Sequence, residues 1–129
     1  MANPNIVDVT SIYGKTVQIA AQKAATATNG TQLVSNAASS GKVYKINTIL
    51  AANVDTNNNA QITVTIWNEA TATSAANYDI CKTVTVPADA MVVVLDKNTA
   101  IYLEEDHSIY CTASEDGDIE VTCSYEEIS

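Results

Sequence analysis

The feature that most constrains this chain is a strict alternation of apolar and polar residues in its central part. In AQITVTIW, residues 60–67, the side chains of Ile62, Val64 and Ile66 fall on one side, and Gln and Thr side chains fall on the other. A period of two residues is that of a β-strand with one face in a core. Thr, Val and Ile also favour a pleated, half-buried backbone. The central region therefore predicts β-structure.

Residues 43–54 alternate in the same way and predict a second strand. Its apolar face would carry Tyr44, Ile46, Leu50, Ala52 and Val54. The polar segment DTNNN follows this strand and is typical of a turn. The two strands are therefore predicted to form a hairpin.

Similar patterns predict four more strands, at residues 15–19, 78–86, 91–95 and 100–103. Pro87 ends the second of these, because proline has no N–H group to donate to a ladder. The segment MVVVL at 91–95 is apolar on both faces, which predicts a central strand.

The last quarter of the chain predicts a further hairpin. Apolar residues alternate on both sides of the turn sequence SEDGD. A loop of residues 115–117 places Gly117 at the left-handed position that such a loop requires. This loop sets two apolar pairs: Ala113 with Ile119, and Cys111 with Val121.

The first third is less regular, being rich in Ala, Thr, Ser and Asn. AAQKAA is long enough for one helical turn only, and Asn29-Gly30 is a hairpin turn signal. No domain boundary or internal repeat is visible. We predict one all-β domain over residues 1–129, an antiparallel β-sandwich or jelly roll of about eight strands. Residues 1–13 form either an extended N-terminal arm or an ordinary edge strand.

The composition disfavours several classes of function. The 129 residues carry a formal net charge of −9, and all six cationic residues are Lys. This balance disfavours binding to nucleic acid and to anionic membranes. No apolar run reaches the ~18 residues of a membrane helix. The start MANPNIVDV lacks a signal-peptide pattern, so we expect folding in a cytoplasm, which agrees with an odd number of cysteines.

No catalytic or metal signature stands out. His107 is the single histidine, and its neighbour Ser108 should face the opposite side of a strand. The three cysteines are expected to be free thiols that pack as small hydrophobic groups, although another register would allow a Cys111–Cys123 bond. We therefore predict no enzyme activity, no cofactor and no metal site.

Three weaker motifs have ordinary explanations. The segment at 55–59 imitates an EF-hand but lacks the glycine and the final glutamate of that loop. Carboxylates at 104–106 or 115–120 could hold a cation between subunits, but solvated charge is the simpler explanation. Asn29 begins a glycosylation sequon that lacks a secretory context. A sugar-binding stack is the alternative to core or interface roles for three tyrosines: Tyr102, Tyr110 and Tyr125.

Charge is distributed unevenly along the chain. Residues 1–50 contain four Lys and one carboxylate, whereas residues 104–129 contain nine carboxylates and no Lys or Arg. If these groups lie on different surfaces, copies could dock head to tail around a ring. Simple solubility through net charge is the alternative.

Several segments together resemble virion structural proteins of tailed bacteriophages, particularly those of marine cyanobacteria. They are SSGKVYKINTILAANVD, TVTVPADAMVVVLDKNTAIYLEEDHSI and GDIEVTCSYEEIS, together with the opening MANPNIVDVTSIYGKT. The resemblance covers most of the chain. It implies a non-enzymatic β-rich component of the virion, and it supplies no catalytic residues.

On this resemblance the expected function is that of a capsid decoration protein on the particle surface, assembled in the bacterial host cytoplasm. The expected partners are the major capsid protein or other virion proteins, and further copies of the chain, with a trimer as the expected oligomer. A tail, neck or fibre module that adsorbs to a host glycan is the alternative. The predicted contact residues fall in two groups: Ile6, Val7, Val9, Ile12 and Tyr13 near the N-terminus, and the acidic Glu104, Glu105, Asp106, Glu115, Asp116, Asp118, Glu126 and Glu127.

Overall fold

The computed structural model describes residues 4–74 and 76–129, which form an all-β structure. One 3₁₀ turn, Lys97–Thr99, is the helical element of this described part. The strands are β1 (Ile12–Ala21), β2 (Thr31–Asn36), β3 (Val43–Asn53), β4 (Ala60–Trp67), β5 (Asn77–Val86), β6 (Met91–Leu95), β7 (Ile101–Leu103), β8 (His107–Ala113) and β9 (Ile119–Ile128). The predicted all-β class is confirmed.

The strands form two antiparallel sheets. The first has the order β1-β9-β3-β6, with β7 also paired to β3, and the second has the order β2-β8-β4-β5. Early strands pair with late ones: β1 with β9, β2 with β8, β3 with β6, and β4 with β5. The chain is thus one long hairpin rolled up so that its strands are divided between two packed sheets. This is a jelly-roll sandwich.

Both predicted hairpins are wrong, because each connection crosses from one sheet to the other. Strands β3 and β4 lie in different sheets, and so do β8 and β9. Val121 pairs with Ile19 and Ala51 instead of Cys111. The apolar faces of β8 and β9 do meet, but across the core. Asn29-Gly30 likewise precedes a strand that pairs with β8 and not with β1.

The face assignment in β3 is also corrected by the structure. The register of β3 against β9 shifts between Ile46 and Thr48. Such a bulge moves every later side chain to the other face. Ile46 and Ile49 therefore both point into the core and are fully buried, whereas Val54 is 50% exposed.

The segment MVVVL forms β6 at the edge of the first sheet, so the prediction of a central strand is wrong. Its inner side chains cover the core. Met91 and Val93 lie on the outer face and are each 54% exposed. A doubly apolar pattern indicated burial on both faces, but no described element covers the outer one.

The core lies between the inner faces of the two sheets and consists of aliphatic side chains and two thiols. The largest fully buried apolar residues are Ile46, Ile49, Ile62, Leu103, Ile109 and Ile119. Each such side chain contributes roughly 1.5–3 kcal/mol to stability. Cys111 and Cys123 enter this core from opposite sheets as free thiols.

Candidate interaction surface

The N-terminal segment before β1 is a turn anchored to the C-terminus. Asp8 donates its backbone N–H to the carbonyl of Asn5 over 3.0 Å. Ser11 and Ser129 exchange two backbone hydrogen bonds of 3.0 Å each. Residues 5–8 therefore form a local turn, residues 10 and 11 are hydrogen-bonded to Ser129, and residues 1–3 of the predicted arm lie outside the described part.

Four of the five predicted N-terminal contact residues are well exposed. The exposed fractions are 54% for Ile6, 90% for Val7, 57% for Ile12 and 60% for Tyr13, whereas Val9 is half-buried. Ile6 and Val7 lie in the turn, and Ile12 and Tyr13 begin β1. We call Ile6, Val7, Ile12 and Tyr13 the N-terminal surface.

Strand β1 adds a free backbone edge to this surface. It pairs with β9 over ten consecutive residues without a register shift, and its other edge pairs with no strand of the described part. Residues 12–16 are exposed on both faces of the strand. A sandwich strand normally has one face covered, so this half of β1 extends past the cover of the second sheet. A regular, uncovered edge can accept an added strand.

A groove lies beside the N-terminal segment, on the outer side of the first sheet. It has a volume of about 260 Å³ and is lined by Pro4, Ile6, Val43, Tyr102 and Glu104. Tyr102 is 49% exposed, and Val43 is buried. Sequence reasoning missed this groove, because its walls come from three segments that only the fold brings together.

Most of the predicted acidic residues lie at the two ends of the sandwich. Asp116 accepts hydrogen bonds from the backbone N–H of Lys23 (2.9 Å) and the hydroxyl of Thr26 (2.7 Å). These bonds, the first above all, hold the pKa of Asp116 below its usual value. Glu115 forms an ion pair with Lys23 at 3.3 Å, while Asp118 is half-buried at the same end. This end therefore holds the turn that follows β1.

At the opposite end the acidic residues divide into exposed and buried groups. Glu104 is exposed, whereas Glu105 is only 8% exposed. Asp106 accepts the backbone N–H of Ala70 at 3.1 Å, and Glu126 accepts the side-chain amide of Asn47 at 3.2 Å. Glu104 is thus the acidic residue of this group that is most available to a partner.

Glu127 was expected at the surface but is 5% exposed. Its carboxylate lies 2.8 Å from the ammonium of Lys15 and 2.5 Å from that of Lys42. The hydrogen bond from Lys15 is the main reason that the pKa of Glu127 lies below its usual value. The rings of Tyr44 and Tyr125 stack beside it with centroids 5.1 Å apart.

These ion pairs join the basic first third of the sequence to its acidic last quarter. Strand β9 lies between β1 and β3, so the lysines of the first third come beside the carboxylates of the last quarter. Lys15, Lys23 and Lys42 all form ion pairs within the chain. Of the nine carboxylates in residues 104–129, Glu115 and Glu127 form these ion pairs, so the basic and acidic parts of the sequence partly share the same surfaces. Head-to-tail docking of copies stays a prediction.

The candidate catalytic groups do not form a catalytic arrangement. His107 Nδ1 lies 2.8 Å from the backbone oxygen of Glu105, while the hydroxyl of Ser108 donates to the carbonyl of Glu69 at 2.7 Å. Burial raises the pKa of the Cys111 thiol strongly and that of Cys123 to about 12. Within residues 4–74 and 76–129 no group of three or more His, Cys, Asp or Glu side chains is placed to hold a metal ion.

The tyrosines of the suggested sugar stack lie in three separate places. Tyr102 is on the outer side of the first sheet, Tyr125 lies beside the core, and Tyr110 packs edge-on against Trp67 with ring centroids 6.3 Å apart. The loop after β4 covers that last pair. Its Ala72 accepts a 2.8 Å hydrogen bond from the side-chain amide of Asn29, the residue of the sequon.

Comparison with known proteins gives no relative of this chain: no protein-family profile, no curated protein and no solved structure matches it. No helix among the described residues is long and apolar enough to span a membrane.

Proposed function

We propose that this chain is a non-enzymatic structural protein of a tailed-phage virion, which decorates the outer surface of the head. The observation that carries this proposal is the first half of β1, which is exposed on both faces and has an unpaired, bulge-free edge. Such an edge presents unpaired N–H and C=O groups, which invite pairing with another chain. The sequence resemblance supplies the identity of that partner, a capsid subunit.

Docking would proceed by strand addition. An extended capsid segment forms main-chain hydrogen bonds along residues 12–16, while Ile12 and Tyr13 contact it on opposite faces. Ile6 and Val7 enlarge the apolar contact. Each contact is small, but many copies on one shell act together, and binding only to the assembled shell stabilises it by linkage.

The second candidate, a tail or fibre module that binds a host glycan, has less support. A sugar site needs exposed aromatic rings, and Trp67 and Tyr110 are each 8% exposed. The exposed Tyr102 has no second ring beside it among the described aromatic contacts.

The test is binding of the purified protein to isolated phage heads that lack it, measured by co-sedimentation. We expect the double variant Ile12→Asp/Tyr13→Asp to lose binding, because it places charge on both faces of the free edge. The matched control is Tyr78→Asp, since Tyr78 is also an exposed tyrosine (63%) on an edge strand, β5. Equal binding by the double variant and the control would refute the proposed surface.

Copy number separates the two virion roles. Quantitative mass spectrometry of virions should give on the order of hundreds of copies for a decoration protein that repeats over the shell. A count of about a dozen would match the symmetry of a tail or neck ring and would overturn the decoration role.

A further inference from the structure

We infer that the groove beside the N-terminal segment binds an arginine side chain of a partner protein. The inference names the chemistry of the partner, and to that extent it rests on the proposed docking function. The groove has room for one long side chain, since its volume is about 260 Å³, and its lining combines apolar residues with one acidic residue, Glu104.

The walls of the groove suit the apolar stem of arginine. Val43, which is 3% exposed, belongs to its lining, as do Pro4 and Ile6 from the N-terminal segment. Long cationic side chains bury their methylene groups against such surfaces while their charged heads stay in water.

The guanidinium group of an arginine has two partners in the groove, an aromatic ring and a carboxylate. Tyr102 is half-exposed in β7, and Glu104 follows that strand directly. A guanidinium group can stack on the tyrosine ring and donate a forked hydrogen bond to the carboxylate. Lysine fits less well, because its ammonium is a strongly hydrated point charge without a planar face.

Charge excludes the other simple occupants. The chain has a formal net charge of −9, and a carboxylate lines the groove, so an anionic group is repelled. A purely apolar side chain would cover the carboxylate without pairing it, which is unfavourable. A long cationic side chain can pack its stem on the apolar lining and pair its charge with the carboxylate of Glu104.

One cation of the chain itself lies close by. Lys45 is the cross-strand partner of Tyr102 on one side and of Glu126 on the other. It lowers the local negative charge, so a single arginine should bind weakly, and useful affinity would need many copies. Because Lys45 competes with a bound arginine, the variant Lys45→Met should bind the arginine peptide more tightly.

The test uses the peptides Gly-Gly-Arg-Gly-Gly and Gly-Gly-citrulline-Gly-Gly, which have nearly the same shape and differ in charge. Each is titrated into the ¹⁵N-labelled full chain and followed by NMR. We expect shifts at the amides of Ile6, Val43 and residues 102–104, and about tenfold tighter binding of the arginine peptide. Raising the salt concentration to about 0.5 M should weaken that binding severalfold, because the added ions screen the two charges.

Two variants with matched controls locate the site. Glu104→Gln should weaken arginine binding about tenfold, and Tyr102→Leu about fivefold, since each removes one partner of the head group. Glu120→Gln, an exposed glutamate of β9, and Tyr78→Leu on β5 should leave binding unchanged. The amide spectrum of each variant reports whether the fold is intact. Glu104 is exposed, so its variant should fold normally.

Equal binding of the citrulline peptide, shifts away from the groove, or unchanged binding by Glu104→Gln would each overturn the inference. These results do not depend on phage heads. If the arginine peptide does not bind but the protein binds phage heads normally, only the arginine site is refuted. If the peptide binds but the protein does not bind phage heads, only the proposed function is refuted.

Discussion

Replacing Glu127 by Gln should reveal how much the buried ion-pair cluster stabilises the sandwich. The carboxylate is 5% exposed and lies 2.8 Å from Lys15 Nζ and 2.5 Å from Lys42 Nζ. Gln keeps the shape but removes the negative charge, and its amide has only one acceptor oxygen. One lysine therefore keeps a hydrogen bond to the amide oxygen, while the other faces an N–H₂ group that cannot accept its proton. Hydrogen bonds to charged groups contribute roughly 1.5–3 kcal/mol when buried.

That range must be reduced for this cluster, because the two lysine side chains are 48% and 40% exposed and can return to water. We expect Glu127→Gln to lower the free energy of unfolding at pH 7 by about 1–2 kcal/mol in total. For a domain of this size that corresponds to a fall in Tm of roughly 3–8 °C. Lys15→Met and Lys42→Met should each cause part of the same loss.

The effect should depend on pH. The pKa of Glu127 is lower in the folded protein than in the unfolded chain, chiefly because of the hydrogen bond from Lys15. Its contribution is therefore fully present above the unfolded pKa of about 4.3 and is lost as pH falls through the lower folded value. The wild type and the variant should converge in stability at acid pH.

Urea denaturation followed by far-UV circular dichroism, at pH 7 and at pH 3, measures both effects. The control is Glu120→Gln, an exposed glutamate of the same strand, for which we expect almost no change. If Glu127→Gln behaves like this control at pH 7, the ion pairs contribute nothing measurable. If its deficit is the same at both pH values, the loss comes from packing and not from charge.

Three further predictions concern the core and one turn. Ile109→Ala should cost about 2–5 kcal/mol in urea melts, because Ile109 is fully buried and its loss leaves a cavity. Gly30→Ala should also lower stability in the same assay. Gly30 has φ +91°, and an added Cβ would lie 2.7 Å from the carbonyl oxygen of Cys111. An unchanged urea melt would contradict this. In a thiol assay at pH 8, Cys111 and Cys123 should stay unreactive in the folded protein, because burial raises the pKa of both thiols. The half-buried Cys81 should react slowly, and unfolding in guanidinium should make all three thiols reactive. Rapid labelling of all three in the folded protein would refute this.

The sequence by itself determined the class of structure and the positions of most strands, although β2 (Thr31–Asn36) was not predicted. The alternation at 60–67 marked β4 and its buried face, and Pro87 marked the end of β5. Gly117 has φ +76°, as the turn sequence required. These features are local: side chains two residues apart share a face, and particular residues permit particular backbone angles.

Only the tertiary structure decided which strands are neighbours. An apolar face has the same pattern whether its strand lies in one sheet or the other, so β8 and β9 looked like a hairpin although they face each other across the core. Ile12 pairs with Ile128 from the far end of the chain, and no local pattern encodes such a pair. The burial of Glu127 and the groove at Tyr102 follow from that long-range pairing, because both are assembled from segments that meet only when the hairpin has rolled up.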